Sequence, residues 1–340
     1  MSLDLRVSAL TAALKSDFWK AWDQVAKPAP WEDCTTIVPS STKIENFVVS
    51  SPCPGFSRWL GARNYQQTDS QVFSVRNETH HLELMAKLED VEDEQVALLA
   101  MQARTIAEQG KLYPGRMVFK LLGQAAGSPL ALANGAVGNV NGFDNAAFFS
   151  NRTAGSGGFG IGNNSLSFTS TGSSDALRYY VAALYHDYPI KPLCWLNRSA
   201  PDFRTNAGDN QSSESRIVKW WCDLRGAPFF SYWFNACLVS ILNTPNVADL
   251  HNVFQLISTN FRKFAFPKAS SAEDGQFIHE QTQFGSSNLL YVGSTGLSEV
   301  LAQALEQPWV PQSIGSNTVA TTNRWQGKGK WVTTNYMDYQ

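Results

Sequence analysis

The residues of this chain that could do chemistry stand in short, separate groups. Gly155-Ser156-Gly157-Gly158-Phe159-Gly160 has the spacing of a dinucleotide-phosphate cradle. Such a cradle works only between a strand and a helix, with an acidic residue about 20 positions further on. Here Asn151-Arg152-Thr153 precedes it and Gly162-Asn163-Asn164-Ser165 follows, so a flexible glycine loop is the better reading. Ser40-Ser41-Thr42-Lys43 has the Ser-x-x-Lys spacing of an acylating serine, but the companion Ser-Asp-Asn and Lys-Thr-Gly motifs are missing. It reads as a turn at a strand edge. His80 and His81 beside Glu83 resemble part of a metal cluster, yet neighbours on a strand point to opposite faces. His186-Asp187 has no nucleophile near it in sequence, and His279-Glu280 lacks the second histidine of a zinc helix. The cysteines Cys34, Cys53, Cys194, Cys222 and Cys237 are odd in number and form no Cys-x-x-Cys pair, the pattern of reduced thiols rather than of disulfides or zinc. No catalytic constellation emerges, and the chain is expected to be no enzyme and to hold neither cofactor nor metal.

The elements are clearer than the chemistry. Leu3, Val7, Leu10, Leu14, Phe18, Ala21 and Val25 recur at spacings of three and four, which predicts an amphipathic helix ended by Pro28 and Pro30. Its charges alternate in sign, so it is no membrane-surface helix. Its stripe either docks on another subunit or packs on its own core. The first is the expectation adopted, with Leu10, Leu14 and Phe18 as intersubunit contacts. Residues 34–87 read as β-rich, with strand candidates at Thr35–Val38, Phe47–Ser50, Gln71–Val75 and around Leu82, Leu84 and Ala86. Between them lies a hairpin too poor in apolar residues to bury a core of its own. Glu89 to Glu94 holds five acidic residues in six, a favourable helix start. The apolar pattern then runs to about 123 through Gly110 and Pro114, giving a helix of about 92–123, some 48 Å at 1.5 Å per residue. Residues 124–175 are rich in Gly, Asn, Ser and Ala, an irregular segment of the kind that functions as an interface loop. Strands are expected at Leu193–Leu196, Ile217–Cys222, Phe229–Leu242 and Asn288–Val292, and helices at Val247–Phe264 and Leu297–Glu306.

Composition narrows the class. Of 340 residues, 43% are apolar, enough for a real core, but only 16% are charged against a usual value of about 25%. A surface so poor in charge suits a protein that meets copies of itself. Lys and Arg number 27 against 29 Asp and Glu, with no dense basic run, which excludes a protein that grips phosphate backbones. Residues 1–20 lack the basic and apolar blocks of a secretory leader, and no segment has the length and hydropathy of a membrane span. Eleven tryptophans suggest a secreted carbohydrate-binding module as an alternative, but Trp220, Trp221 and Trp233 lie in apolar strand patterns that favour core packing.

Several stretches resemble one family in order. They are Ile37-Val38-Pro39-Ser40-Ser41-Thr42; Phe56, Trp59-Leu60-Gly61 and Arg63; Val118-Phe119-Lys120-Leu121-Leu122; Asn145 with Phe148-Phe149; Lys191-Pro192-Leu193, Arg198, Pro201 and Phe203; and Asn288-Leu289-Leu290-Tyr291-Val292. The set is colinear from about 35 to 305 and resembles the Mu-like bacteriophage major head (major capsid) proteins of the Hong Kong 97 type. The chain departs from the pattern in lacking a His-Pro after Phe149, in Phe234-Asn235-Ala236, and in a longer tail after Trp309.

The resemblance implies an α+β Hong Kong 97-like capsid fold: an N-terminal arm (1–45), an E-loop hairpin (46–80), a P-domain with a long spine helix and the glycine-rich loop (81–242), and an A-domain (243–340). It implies self-assembly through hexamers and pentamers into an icosahedral head enclosing double-stranded DNA without sequence-specific binding. Scaffold, portal and decoration proteins are the further partners, and the virion, built in the bacterial cytoplasm, is the location. Phe56 and Trp59 are the expected anchors of the hairpin on a neighbour, with Arg63 adding a charge-assisted contact. Another virion protein, of the tail or the decoration, is the alternative within the same class.

Overall fold

The three-and-four spacing of the N-terminal apolar residues produces helix α1 (Leu3–Gln24). In this computed structural model the described residues are 3–25, 31–50, 70–87, 89, 96–133, 135–153, 160–205, 217–265, 277–279, 282–285, 287–314 and 317–338. After α1 come α2 (Trp31–Cys34), β1 (Thr35–Pro39), β2 (Ile44–Ser50), β3 (Ser70–Arg76), β4 (Glu78–Lys87), α3 (Val96–Ala126) and α4 (Pro129–Ala133). The middle of the chain holds β5 (Asn151–Arg152), β6 (Gly162–Asn163), β7 (Ser165–Thr169), β8 (Arg178–Tyr185), β9 (Leu193–Thr205), β10 (Ile217–Phe230) and β11 (Ala236–Leu242). Then follow α5 (Val247–Phe261), β12 (Leu289–Gly293), α6 (Ser298–Leu305), β13 (Trp309–Ile314), β14 (Asn317–Thr322) and β15 (Lys330–Thr333).

Two sheets organise these elements. The first has the order β1-β9-β10-β4, with β9, β10 and β4 antiparallel and β1 parallel to β9. Its inner face carries Phe203, Val218, Trp220, Cys222 and Ala86, which pack with Leu10, Leu14, Phe18 and Ala21 of α1 and with Leu99, Ala103, Ile106 and Ala107 of α3. The second has the order β15-β12-β8-β11-β7. Both of its faces are apolar, so β12 and most of β8 and β11 are buried throughout. Helices α5 and α6 share its core, as do Met117, Val118, Leu121 and Leu122 from the far half of α3. Helix α3 therefore belongs to both cores. Its 31 residues span about 46 Å at 1.5 Å each, and one side-chain set serves each sheet. That shared duty accounts for its length, and Pro114 lies inside it without ending it.

The strand pairing redraws the expected boundaries. Strand β1, expected in the arm, pairs with β9. Strand β4, which begins inside the expected hairpin, pairs with β10. Strands β8 and β11, expected in the P-domain, pair with each other, and β8 also pairs with β12, so the five-stranded sheet draws on both sides of residue 242. The reason is that pairing is non-local, and composition marks no joint between the sheets. The continuous strand expected over Phe229–Leu242 is also corrected. Strand β10 stops at Phe230, a single helical turn spans Trp233–Asn235, and β11 enters the other sheet. Ser231 and Asn235 at that break are fully buried and bond to the backbone of Lys191 and Ile190.

The C-terminal segment fastens α3 to the second sheet. Met337 is fully buried, the Ser294 hydroxyl donates to its carbonyl at 2.7 Å, and the Ser128 hydroxyl donates to that of Asp338. A Cβ at Gly123 of α3 would stand 2.0 Å from the Tyr336 carbonyl oxygen. Only glycine admits that approach.

Candidate assembly interface

Several of the groups singled out for chemistry have a structural occupation. The Ser40 hydroxyl donates to Glu45 Oε1 at 2.7 Å, and the Ser41 and Thr42 amides donate to the same oxygen at 2.9 and 3.0 Å. The Ser40 hydrogen bond and then the Thr42 and Ser41 donors hold the Glu45 carboxyl down at about 2. Asn77 closes this turn from the other side, its Nδ2 donating to Ser40 Oγ at 2.6 Å and to the Thr42 carbonyl at 2.8 Å. Ser40-Ser41-Thr42 is thus a clamp at the root of the β2–β3 ribbon. His80 sits on the helix side of β4, its Nδ1 2.9 Å from the Tyr113 hydroxyl, while His81 faces out and meets Glu83 at 4.0 Å. His279 is buried among Tyr185, Phe261 and Phe284, and its Nε2–H donates to the Phe234 carbonyl at 3.0 Å. Burial lowers its pKa to about 4. His186 is half-buried, and burial lowers it too.

The cysteines Cys34, Cys194, Cys222 and Cys237 are free and buried. Burial pushes the thiols of Cys34 and Cys237 up to about 12 and that of Cys222 to about 11, and raises Cys194 as well. Cys53 lies outside the described residues, as does the glycine motif except for Gly160. Among the described residues no three His, Cys, Asp or Glu side chains gather as for a metal, and no helix is long and apolar enough to cross a membrane.

The expected contacts divide. Leu10, Leu14 and Phe18 are 6%, 0% and 0% exposed and lie in this chain's own core with α3 and the four-stranded sheet. The intersubunit role given to them is corrected: the stripe is covered by its own subunit. Phe56, Trp59 and Arg63 lie outside the described residues.

The ribbon that leads to them is described. Strands β2 and β3 pair from Ile44 opposite Arg76 to Ser50 opposite Ser70 and, among the described strands, join no other sheet. One face is anchored: Phe73 is fully buried, its ring 5.5 Å from Phe143, and Phe47 stacks on Phe229 at 5.3 Å. Asn145, in a left-handed conformation (φ 57°), donates from Nδ2 to the Val72 carbonyl at 3.4 Å. The other face leaves Ile44, Val48 and Val72 49%, 74% and 58% exposed. The hairpin is expected to need a partner to hold it. Its base, β2 with β3, finds one in its own chain, and the outer face of that base is exposed.

Beside the ribbon, the described residues around Asp144 and Arg152 in the glycine-rich segment are held by a buried ion pair. Arg152 and Asp144 meet at 2.7 Å with side chains 2% and 3% exposed. The guanidinium also donates to the carbonyls of Ala147, Phe148 and Ser150 and lies 4.7 Å over the Trp233 ring. Asn164 ties the same loop down through the Phe148 and Trp233 carbonyls. Sequence reasoning passed over these two residues; an arginine in a loop otherwise short of charge was the available signal.

Comparison with known proteins gives a consistent picture. The family model described as Mu-like prophage major head subunit gpT matches residues 7–260. A protein named major capsid protein, from Escherichia phage Mu, is 21% identical over 238 residues, covering 68% of this chain and 73% of that one. The bacteriophage JBD30 capsid superposes with a TM-score of 0.67 at 14% identity, over 93% of both chains. A JBD30 capsid described as decorated with minor capsid protein trimers superposes with a TM-score of 0.65 at 13% identity, over 92% of both.

Proposed function

This chain belongs to the Mu-like prophage major head subunit family, and we propose that it closes an icosahedral head shell around double-stranded DNA by carrying the β2–β3 ribbon onto a neighbouring copy. It is a major capsid protein, a structural protein of the virion. The observation that carries the contact is the two-sided ribbon. One face is riveted to its own subunit through Phe73 and Phe47, and the other offers Ile44, Val48 and Val72 to something outside. Exposed apolar residues on a rigid two-stranded base are the sign of a surface that another chain covers.

In this reading residues 51–69 continue from the ribbon to the neighbour, with Phe56 and Trp59 as aromatic anchors and Arg63 as a charge-assisted contact. Hexamers and pentamers form by many such modest contacts summed over the shell. Scaffold and portal proteins are its partners during assembly in the host cytoplasm, and a decoration protein is its partner on the finished shell. The wall encloses DNA without gripping it, in keeping with a net charge of −2.

Electron microscopy of the purified chain, expressed with its phage partners, tests this. Hexamers, pentamers and closed particles are expected from the wild type, and few or none from Trp59→Ala with an unchanged subunit melting temperature. A dilution-resistant monomer that never forms shells would overturn the proposal, and normal particles from Trp59→Ala would remove the anchor from it.

A further inference from the structure

The two edges of the four-stranded sheet are built differently. Strand β1 closes one edge with five residues and ends in Pro39. Short strands and proline are the usual ways of blunting an edge against unwanted pairing. Strand β4 forms the other edge with ten residues, no proline, no glycine and an uninterrupted register against β10 from Lys87 to Glu78. No described strand pairs with its free side. Met85 on its outer face is 69% exposed and Leu82 is 40% exposed. A long, regular, partly apolar edge presents a row of backbone donors and acceptors that another strand can complete.

We propose that β4 pairs antiparallel with β4 of a second copy, about a two-fold axis through Leu82, and joins two four-stranded sheets into one. The occupant follows from the sequence of the edge itself. A two-fold normal to the sheet keeps each residue opposite one on the same face, so the axis must pass through a residue and not between two. Centred on Glu83, the ladder opposes two carboxylates, and centred on His81 it opposes two imidazoles. Like groups directly opposite are unfavourable. Centred on Leu82, the ladder runs from Glu78 opposite Ala86 to Ala86 opposite Glu78, with Leu82 on Leu82. It places His81 of each copy opposite Glu83 of the other, twice, on the exposed face. His81 and Glu83 already meet at 4.0 Å within one copy, with side chains 62% and 67% exposed, so both heads are free to engage across the axis. On the helix side, half-buried His80 would lie opposite half-buried Leu84. The edge is complementary to itself in that register. The inference rests on the shell reading, because a closed icosahedral shell supplies two-fold axes at which such a contact can sit.

A single cysteine tests it in the full chain. Opposed Cβ atoms in an antiparallel ladder lie about 4.5–5.5 Å apart, close to the spacing a disulfide requires. Two residues at position 85 would be six positions apart along the strands, about 20 Å. Particles carrying Leu82→Cys should give disulfide-linked dimers on oxidation, at least tenfold more than Met85→Cys particles or the wild type, whose Cys34, Cys194, Cys222 and Cys237 are buried. His81→Glu should lower particle yield several-fold without changing subunit melting, and His81→Glu with Glu83→Lys should restore it. Particles that form normally with no excess of Leu82→Cys dimers, or with equal cross-linking at position 85, would overturn the contact and leave the shell reading standing. A wild-type chain that makes no particles would sink both.

Discussion

Leu14 shows how much one buried position decides. It is fully enclosed between α3 and the inner sheet face, so Leu14→Asp would place an unpaired carboxylate in the core, at a cost of about 4 kcal/mol or more. The expected outcome is an unfolded or insoluble subunit in a denaturant titration. A folded subunit that merely failed to assemble would argue that the stripe meets another chain after all. His279 makes a comparable case in pH. Its folded pKa of about 4 lies below its unfolded value of 6.5 because burial disfavours the imidazolium. The unfolded state therefore binds more protons between those values, and stability falls as pH drops from 6.5 to 4. The shift corresponds to about 3 kcal/mol, as an order of magnitude. Stability measured across this window should fall less steeply in His279→Leu, and an unchanged slope would show that other groups govern it.

Gly123 links helix and tail at the scale of elements. Alanine on an exposed helix face would gain about 1 kcal/mol over glycine. Here its Cβ would collide with the Tyr336 carbonyl, and pushing that turn away would uncover Met337, whose burial is worth about 2–3 kcal/mol. The collision outweighs propensity. Gly123→Ala should lower the denaturation midpoint and open 334–338 to protease, whereas a stabilised variant would mean the turn yields freely. The same comparison explains what the amino-acid pattern could reveal. The spacing of Leu10, Leu14 and Phe18 discloses that one helix face is covered but not by what, which is how a core stripe came to be read as an intersubunit contact. The long helix was legible from its period, while its service to two cores depends on strands 100 residues further on. The run Phe229–Leu242 is apolar enough to read as one strand. Only the burial of Ser231 and Asn235, bonded to the loop before β9, marks where the chain changes sheets. In the interface, Ser40-Ser41-Thr42 is legible as a motif, and its clamp on Glu45 and Asn77 is not, because Asn77, 37 residues on from Ser40, reaches the root only through the pairing of β3 with β2.

At the scale of the molecule, the subunit is two sheets hung on one helix, with its polar chemistry spent on internal fastening. Arg152 with Asp144, Glu45 with its three donors, and the Ser294 contact to Met337 each lock a loop or a terminus to a sheet. Ile44, Val48 and Val72 on the ribbon and Leu82 and Met85 along the edge strand are among the apolar residues left exposed, where other copies can reach them. The pairing of β1 with β9 joins residues about 160 apart in the chain, and β15 and Met337 complete a sheet whose first strand, β7, begins at residue 165. On a ribosome this order has a consequence. Neither sheet can be finished while the chain is short, because each waits for a strand made much later. The site of Met337 is filled only after about 210 further residues have followed α3. A topology so dominated by distant partners folds slowly, and its half-built edges are exposed meanwhile to other nascent copies. A capsid subunit built this way therefore has its greatest exposure to misassembly in the interval when α3 has emerged and the segment that fastens it has not.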